Sequence, residues 1–146
     1  GRRFQEVFSQ LFGGGTAQIV LTDPDNILTG GIDFYIQPPG KKRQQLTLLS
    51  GGERALTVIA LLFSFLDYRP APFCVLDEVD AALDEANVER FSSYLNRINK
   101  ETQFIVVSHR KKTMEAAEVL QGVTMVERGV SRLLTVAFED VKEDLA

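Results

Sequence analysis

Hydrophobic positions along this chain change rhythm several times, and each rhythm predicts a different element. Phe4, Val7, Phe8, Leu11 and Phe12 recur at helical spacing and predict an amphipathic helix over 2–12. Gly13-Gly14-Gly15 stops it, since glycine tolerates the left-handed conformation that closes many helices. Residues 16–21 read as a strand, and Asp23-Pro24-Asp25-Asn26 as a turn. Ile32, Phe34 and Ile36 alternate with Asp33, Tyr35 and Gln37, the pattern of a half-buried strand. Pro38-Pro39-Gly40 breaks that strand, and Lys41-Lys42-Arg43 follows as an exposed basic loop.

The pattern is richest between residues 49 and 109. Ser50 and Glu53 have the S-x-x-E spacing of a capping box, so a helix is expected to begin here. Gly51 and Gly52 leave its tip without a Cβ to obstruct an approaching molecule, and orphan N–H donors with partial positive charge suit a phosphate. Between Ala55 and Leu66 only Thr57 and Ser64 are polar. A helix apolar on nearly all sides is expected in the middle of a domain. Phe73-Cys74-Val75-Leu76 then predicts a strand buried on both faces, as in a parallel sheet. It runs into Asp77 and Glu78, at the carboxyl edge where open α/β sheets bind ligands.

Val88, Phe91, Leu95 and Ile98 mark an amphipathic helix over 86–99, and residues 103–107 a second buried strand. Strand, helix and strand make a βαβ unit with a right-handed crossover. If the two strands are neighbours, Asp77, Glu78 and His109 gather at one sheet edge. A short helix is expected over 111–118. Residues 120–126 and 132–138 read as a hairpin turning near Arg128-Gly129. The acidic stretch 139–146 is expected to be a disordered tail or an exposed partner-binding end.

Composition narrows the partners. The 146 residues amount to one domain, and the net charge of −4 excludes a nucleic-acid module that works by bulk positive charge. Cys74 is the single cysteine, so no internal disulfide forms; within an apolar strand it reads as a small buried hydrophobe. The longest apolar run is too short for a bilayer and no signal peptide is evident, so a soluble, cytosolic chain is expected. The chain opens without Met inside a helix already under way, the appearance of a piece excised from a longer protein. No G-x-x-x-x-G-K-[ST] occurs, and the cluster Gly13 to Gly15 has no Lys at the required place.

The apolar strand followed by Asp77-Glu78 resembles the Walker B strand of an ATP-binding-cassette ATPase. Ala82-Leu83-Asp84 resembles its D-loop, His109 after Phe104-Ile105-Val106-Val107-Ser108 its switch histidine, and Leu49-Ser50-Gly51-Gly52-Glu53 its signature. The order is the family's. The stretches 77–88 and 107–117 are similar to SMC (structural maintenance of chromosomes) proteins, and Leu11-Phe12-Gly13-Gly14-Gly15 and Gly122-Val123-Thr124-Met125 to their bacterial branch. This resemblance implies an α/β fold: the C-terminal lobe of a P-loop-type ATPase head, with a mixed sheet, a buried signature helix and flanking helices. Residues 1–146 would be one domain, with 1–12 the end of a coiled-coil helix, 48–66 the signature helix, and 73–138 the Walker B, D-loop and switch region.

The resemblance also assigns roles. Asp77 would support Mg²⁺ through water, Glu78 would activate the attacking water, and His109 would contact the γ-phosphate of ATP. Ser50, Gly51, Gly52, Glu53 and Asp84 would face the ATP of a second head. The missing P-loop would lie in the N-terminal half of the same head, so this chain alone is expected to be inactive. Implied partners are that half, a second SMC head, the winged-helix domain of a kleisin subunit, and DNA. Candidate DNA contacts are Lys41, Lys42, Arg43, Arg110, Lys111 and Lys112. Glu53 departs from the transporter pattern, in which Gln is frequent.

Chromosome organisation of the condensin type, in the cytoplasm at the nucleoid, is the function implied. Two alternatives stay open: a recombinational DNA-repair ATPase of the same superfamily, and a kleisin-docking module. Structural readings also stay open residue by residue. Ser50 as a plain N-cap, Asp77 and Glu78 as turn caps, Asp84 as cap of the next helix, and a structural His109 are all compatible with the sequence. Arg54 is either a reach toward nucleotide or an ordinary packed or solvated side chain.

Overall fold

The first helical rhythm forms α1 (Arg2–Phe12), which buries Phe4, Val7, Phe8, Leu11 and Phe12 on one face. Gly13 closes it at φ 70°, its N–H donating to the Ser9 carbonyl, the left-handed ending that the glycine run predicts. The computed structural model describes residues 1–137. After α1 come β1 (Thr16–Leu21), β2 (Ile32–Gln37), β3 (Gln44–Gln45), a 3-10 turn (Leu46–Leu48), α2 (Gly51–Tyr68) and β4 (Phe73–Asp77). Then follow α3 (Glu85–Ile98), β5 (Gln103–Val107), α4 (Lys111–Glu115), β6 (Val119–Glu127) and β7 (Val130–Ala137).

The α/β class holds, with the antiparallel and parallel pairings in separate sheets. β1, β2 and β3 form an antiparallel sheet in that order, with Thr16 opposite Gln37 and Leu21 opposite Ile32. Gln5 ties α1 to it: its amide donates to the Gly15 carbonyl at 3.1 Å, and its oxygen accepts from Ala17 N at 2.6 Å. β3 and the 3-10 turn lie in a stretch where the sequence has no periodic pattern to announce them. β4 and β5 are parallel, with Phe73 opposite Gln103 and Asp77 opposite Val107. They are joined through α3, as the βαβ reading requires.

The core gathers around α2. Phe63 stacks on Tyr94 with ring centroids 5.2 Å apart and on Phe91 at 6.0 Å, and meets Phe104 edge-on at 6.0 Å. Such offset and edge contacts add to the hydrophobic stabilisation from burying the rings. Leu56, Ile59, Ala60 and Phe63 are buried, but the expectation of an all-round buried helix fails. Val58 and Phe65, two turns apart on one face, stay exposed, Phe65 by 61%. Here α2 has protein on one side only.

The strand at Phe73 needs the same correction. Its apolar run predicts burial on both faces, yet Phe73 is 60% exposed and Val75 55%, while Leu76 on the opposite face is buried. On β5, Ile105 and Val107 are exposed likewise. Alternation, rather than continuous burial, follows because the core covers only the side of Cys74, Leu76, Phe104 and Val106. Partial burial pushes the Cys74 thiol up, in keeping with its reading as a small hydrophobe.

α4 stops at Glu115 rather than reaching residue 118. The bonds Ala116 N to Thr113 O and Ala117 N to Met114 O are i to i−3, tightening the last turn and ending the helix. β6 and β7 form the expected hairpin, Glu127 opposite Val130, with Gly129 at φ +83° in the connection and a bulge between Met125 and Glu127. Phe138 and the acidic stretch 139–146 lie outside the described residues. Among the described residues, no helix is long and apolar enough to cross a membrane.

Candidate active site

The tip of α2 carries a complete capping box. Ser50, in extended conformation, accepts from Glu53 N at 3.4 Å, while the Glu53 carboxylate accepts from Ser50 N at 3.2 Å and from Ser50 Oγ at 2.9 Å. The plain N-cap role is therefore real, and it leaves Ser50 and Gly51 exposed at the tip. Arg54, though exposed, folds back along the chain that leads into the cap. Its guanidinium donates to the Thr47 carbonyl at 3.1 Å and the Leu49 carbonyl at 3.3 Å, fixing the turn that leads into the cap.

Lys41 is a residue whose place the sequence does not reveal. Its Nζ lies 2.9 Å from Glu53 Oε1, so the basic loop is anchored on the cap. Burial pushes the Glu53 carboxyl up, but the Lys41 ammonium and the Ser50 donors outweigh it and hold the group below its ordinary value. The Glu53 carboxylate thus stands at the helix tip with a cation beside it.

Asp77 and Glu78 emerge at the carboxyl edge of the β4–β5 pair. Glu78 N continues the ladder, donating to the Val107 carbonyl at 2.9 Å. The chain turns sharply there: Glu78 is the one described non-glycine residue with positive φ, 48°, a left-handed conformation that costs free energy for a side chain. Among the described residues, neither the Asp77 nor the Glu78 carboxylate accepts a hydrogen bond, so the turn-cap reading finds no support. His109 lies on the neighbouring loop, its Nδ1 3.9 Å from Glu78 Oε1, and both side chains are largely exposed. The sheet edge does bring together the three residues that the βαβ reading places there.

Asp84 caps α3, its carboxylate accepting from Asn87 N at 2.8 Å and from Asn87 Nδ2 at 3.1 Å. Gly52 sits against the same turn, with the Ala82 carbonyl as its near neighbour. A second residue missed from sequence is Asp80, fully buried beneath the Glu78 turn. A polar residue after an acidic pair looks like surface, and no periodicity marks it as inward.

The candidate DNA contacts are mostly occupied within the chain. Lys41 pairs with Glu53, Arg43 lies over the Tyr35 ring at 4.6 Å, Arg110 donates to the Leu83 carbonyl, and Lys111 lies 3.6 Å from Glu115. Among the described residues no three His, Cys, Asp or Glu side chains converge as metal ligands. One exposed carboxylate, Asp77, suits Mg²⁺, which keeps its waters and is commonly shared between a carboxylate or two and substrate phosphates.

The RecF/RecN/SMC N-terminal domain family matches residues 29–132. The chromosome partition protein Smc of Bacillus subtilis (strain 168) is 63% identical over 140 residues, which is 96% of this chain. This chain spans only 12% of that relative's length. The Smc head domain from Pyrococcus furiosus, with an extended coiled coil and bound to the C-terminal domain of ScpA, superposes with a TM-score of 0.90 at 38% identity. The match covers 99% of this chain and 36% of that one. A structure from work on ATP-driven dimerization and DNA-stimulated activation of SMC ATPases superposes with a TM-score of 0.86 at 38% identity, over 99% of this chain and 87% of that one. The chain belongs to the RecF/RecN/SMC family, and its fold is that of part of an SMC head.

Proposed function

We propose that this chain is the C-terminal lobe of the head of a chromosome-organising SMC ATPase, which hydrolyses ATP to ADP and phosphate once the P-loop half completes it. The observation that carries this reading is the pair Asp77 and Glu78. The fold delivers both carboxylates to the edge of a parallel strand pair, leaves both without a hydrogen-bond donor among the described residues, and sets His109 3.9 Å from the second. Carboxylates at that edge are what phosphoryl transfer to water requires, since its catalysis is positioning plus electrostatics.

Through water, Asp77 would hold Mg²⁺, which would supply positive charge against the phosphates of ATP. Glu78 orients the attacking water and takes its proton. His109 faces the γ-phosphate from the adjacent loop. The exposed tip of α2, with Ser50, Gly51 and Gly52, serves the nucleotide of a second head, and Asp84 lies at the same interface. Similarity to a relative described by ATP-driven dimerization supports this two-head arrangement. The bare faces of α2 and β4–β5 receive the N-terminal half, for which apolar Val58, Phe65, Phe73 and Val75 are suited.

The Pyrococcus furiosus head is bound to the C-terminal domain of ScpA, which supports a kleisin partner for this lobe, with α1 or the β6–β7 hairpin as the receiving surface. Likeness to chromosome partition proteins favours chromosome organisation, with the protein at the nucleoid in the cytoplasm, over a repair ATPase. Glu78→Gln in the complete protein tests the reading. Phosphate release is expected to fall by about 10²-fold or more, while ATP holds the heads together as a dimer in light scattering. Unchanged phosphate release would remove Glu78 from the chemistry.

A further inference from the structure

We infer that Asp80 is a positioning residue: a buried carboxylate that clamps the Glu78 turn to the His109 loop and so sets the two exposed catalytic side chains against each other. The inference rests on the ATPase reading above. The question it answers is what holds Glu78 and His109 in place. Their own contact does not, because 3.9 Å is too long for a hydrogen bond and both side chains are more than half exposed.

Beneath them the connections are true hydrogen bonds, buried or partly buried. Asp80 is 0% exposed. Its Oδ2 accepts from Ser108 Oγ at 2.6 Å and from Thr113 Oγ1 on α4. The Ser108 hydroxyl also accepts from Arg110 N at 3.0 Å, so it grips the backbone on the far side of His109. Farther along, the Arg110 guanidinium donates to the Leu83 carbonyl, next to Asp84. The segment 78–84 and the segment 108–113 are therefore pinned together at two points, with Glu78 on one and His109 on the other. Hydroxyl donors on a carboxylate make strong, directional bonds in a buried setting.

The backbone of Glu78 adds an independent reason for a clamp. A left-handed non-glycine residue persists only where its surroundings over-determine it. The turn bonds Ala81 N to Glu78 O and Leu83 N to Asp80 O run through this segment, and Asp80 and Leu83 are its buried side chains, Asp80 the polar one that joins it to residues 108 and 113. The clamp is not saturated. Among the described residues, Asp80 Oδ1 and Arg110 Nε are both buried without a partner. Asn at position 80 retains an acceptor for Ser108 and Thr113, whereas Ala leaves both hydroxyls without one.

The test compares Asp80→Ala, Asp80→Asn, Ser108→Ala and Glu78→Gln in the full-length protein. Displacing a catalytic group by about 1 Å costs on the order of 100-fold in rate, so Asp80→Ala is expected to lower kcat by about that factor. KM for ATP and ATP-dependent dimerisation are expected to change far less than kcat, since the P-loop half holds most of the nucleotide and His109 adds a single contact to its γ-phosphate. Asp80→Asn is expected to recover most of the rate. Ser108→Ala, which leaves Thr113 on the carboxylate, is expected to give an intermediate loss and stands in if Asp80→Ala does not fold. Without nucleotide, hydrogen exchange at residues 108–113 is expected to speed up in Asp80→Ala and Ser108→Ala. A purely structural role would lower the folded fraction and leave kcat per folded site unchanged. An unchanged kcat, or an equal change in KM, overturns the clamp if Glu78→Gln is inactive. If Glu78→Gln is itself active, the ATPase reading fails instead, and the exchange measurement alone decides whether the clamp exists.

Discussion

A Cβ on Gly52 would stand 2.8 Å from the Ala82 carbonyl oxygen. The tip of the long helix thus lies directly on the turn that leads to Asp84, closer than any other side chain permits. Gly52→Ala forces backbone to move, and overpacking of this kind costs about 1–3 kcal/mol. Gly51, its neighbour, has open space where its Cβ would be. Gly51→Ala is expected to leave stability within about 1 kcal/mol of the parent yet to obstruct the approach of a phosphate. Thermal unfolding and ATPase rate, measured on both variants, are expected to separate: both are inactive, and only Gly52→Ala is destabilised. Equal stability of the two would contradict the close approach.

The cap carries a pH dependence of known sign. Glu53 is held below its ordinary value of 4.5 in the folded chain, after the opposing effect of burial. A depressed carboxyl contributes stability that is present above its unfolded pKa and is lost as pH falls through the lower folded value. Glu53→Gln is therefore expected to be less stable than the parent at neutral pH, and the difference to close on acidification below about pH 4.5. Lys41→Ala is expected to shrink the same difference without removing it, because the Ser50 donors remain. Unfolding midpoints of the three proteins across that range check this. A difference that widens in acid would reverse the assignment.

Phe63 joins α2 to Tyr94, Phe91 and Phe104 and is 0% exposed. Phe63→Ala removes a ring from the centre of the core and is expected to cost about 3–5 kcal/mol. Phe65→Ala, on the exposed side of the same helix, is expected to cost the isolated chain less than about 1 kcal/mol. Denaturant unfolding of the isolated chain tests the contrast. Once the N-terminal half is bound, Phe65→Ala is expected to weaken that association instead.

The sequence made visible what depends on local pattern. The glycine stop after Phe12, the capping box at Ser50 and the turn at Gly129 each depend on a few adjacent residues, and all formed where expected. Chain order left the pairing of β4 with β5 as a condition, which the fold meets. Burial was less legible. The apolar runs at 55–66 and 73–76 promised cover on every side, but apolar composition says only that cover suits a residue, and not whether this chain supplies it. Val58, Phe65, Phe73 and Val75 are exposed for that reason. Lys41 on Glu53 and Asp80 beneath His109 were illegible because both contacts join segments distant in sequence. Neither residue type signals its partner.

ATP hydrolysis by this chain, alone and then mixed with a separately made P-loop half of the same head, tests the central claim most directly. No turnover is expected from the chain alone. On mixing, hydrolysis is expected to appear, and Glu78→Gln or Ser50→Arg is expected to abolish it, the second by blocking the helix tip proposed to face the other head. Sustained hydrolysis by the chain alone, or activity in the mixture indifferent to both substitutions, would contradict the two-half, two-head account.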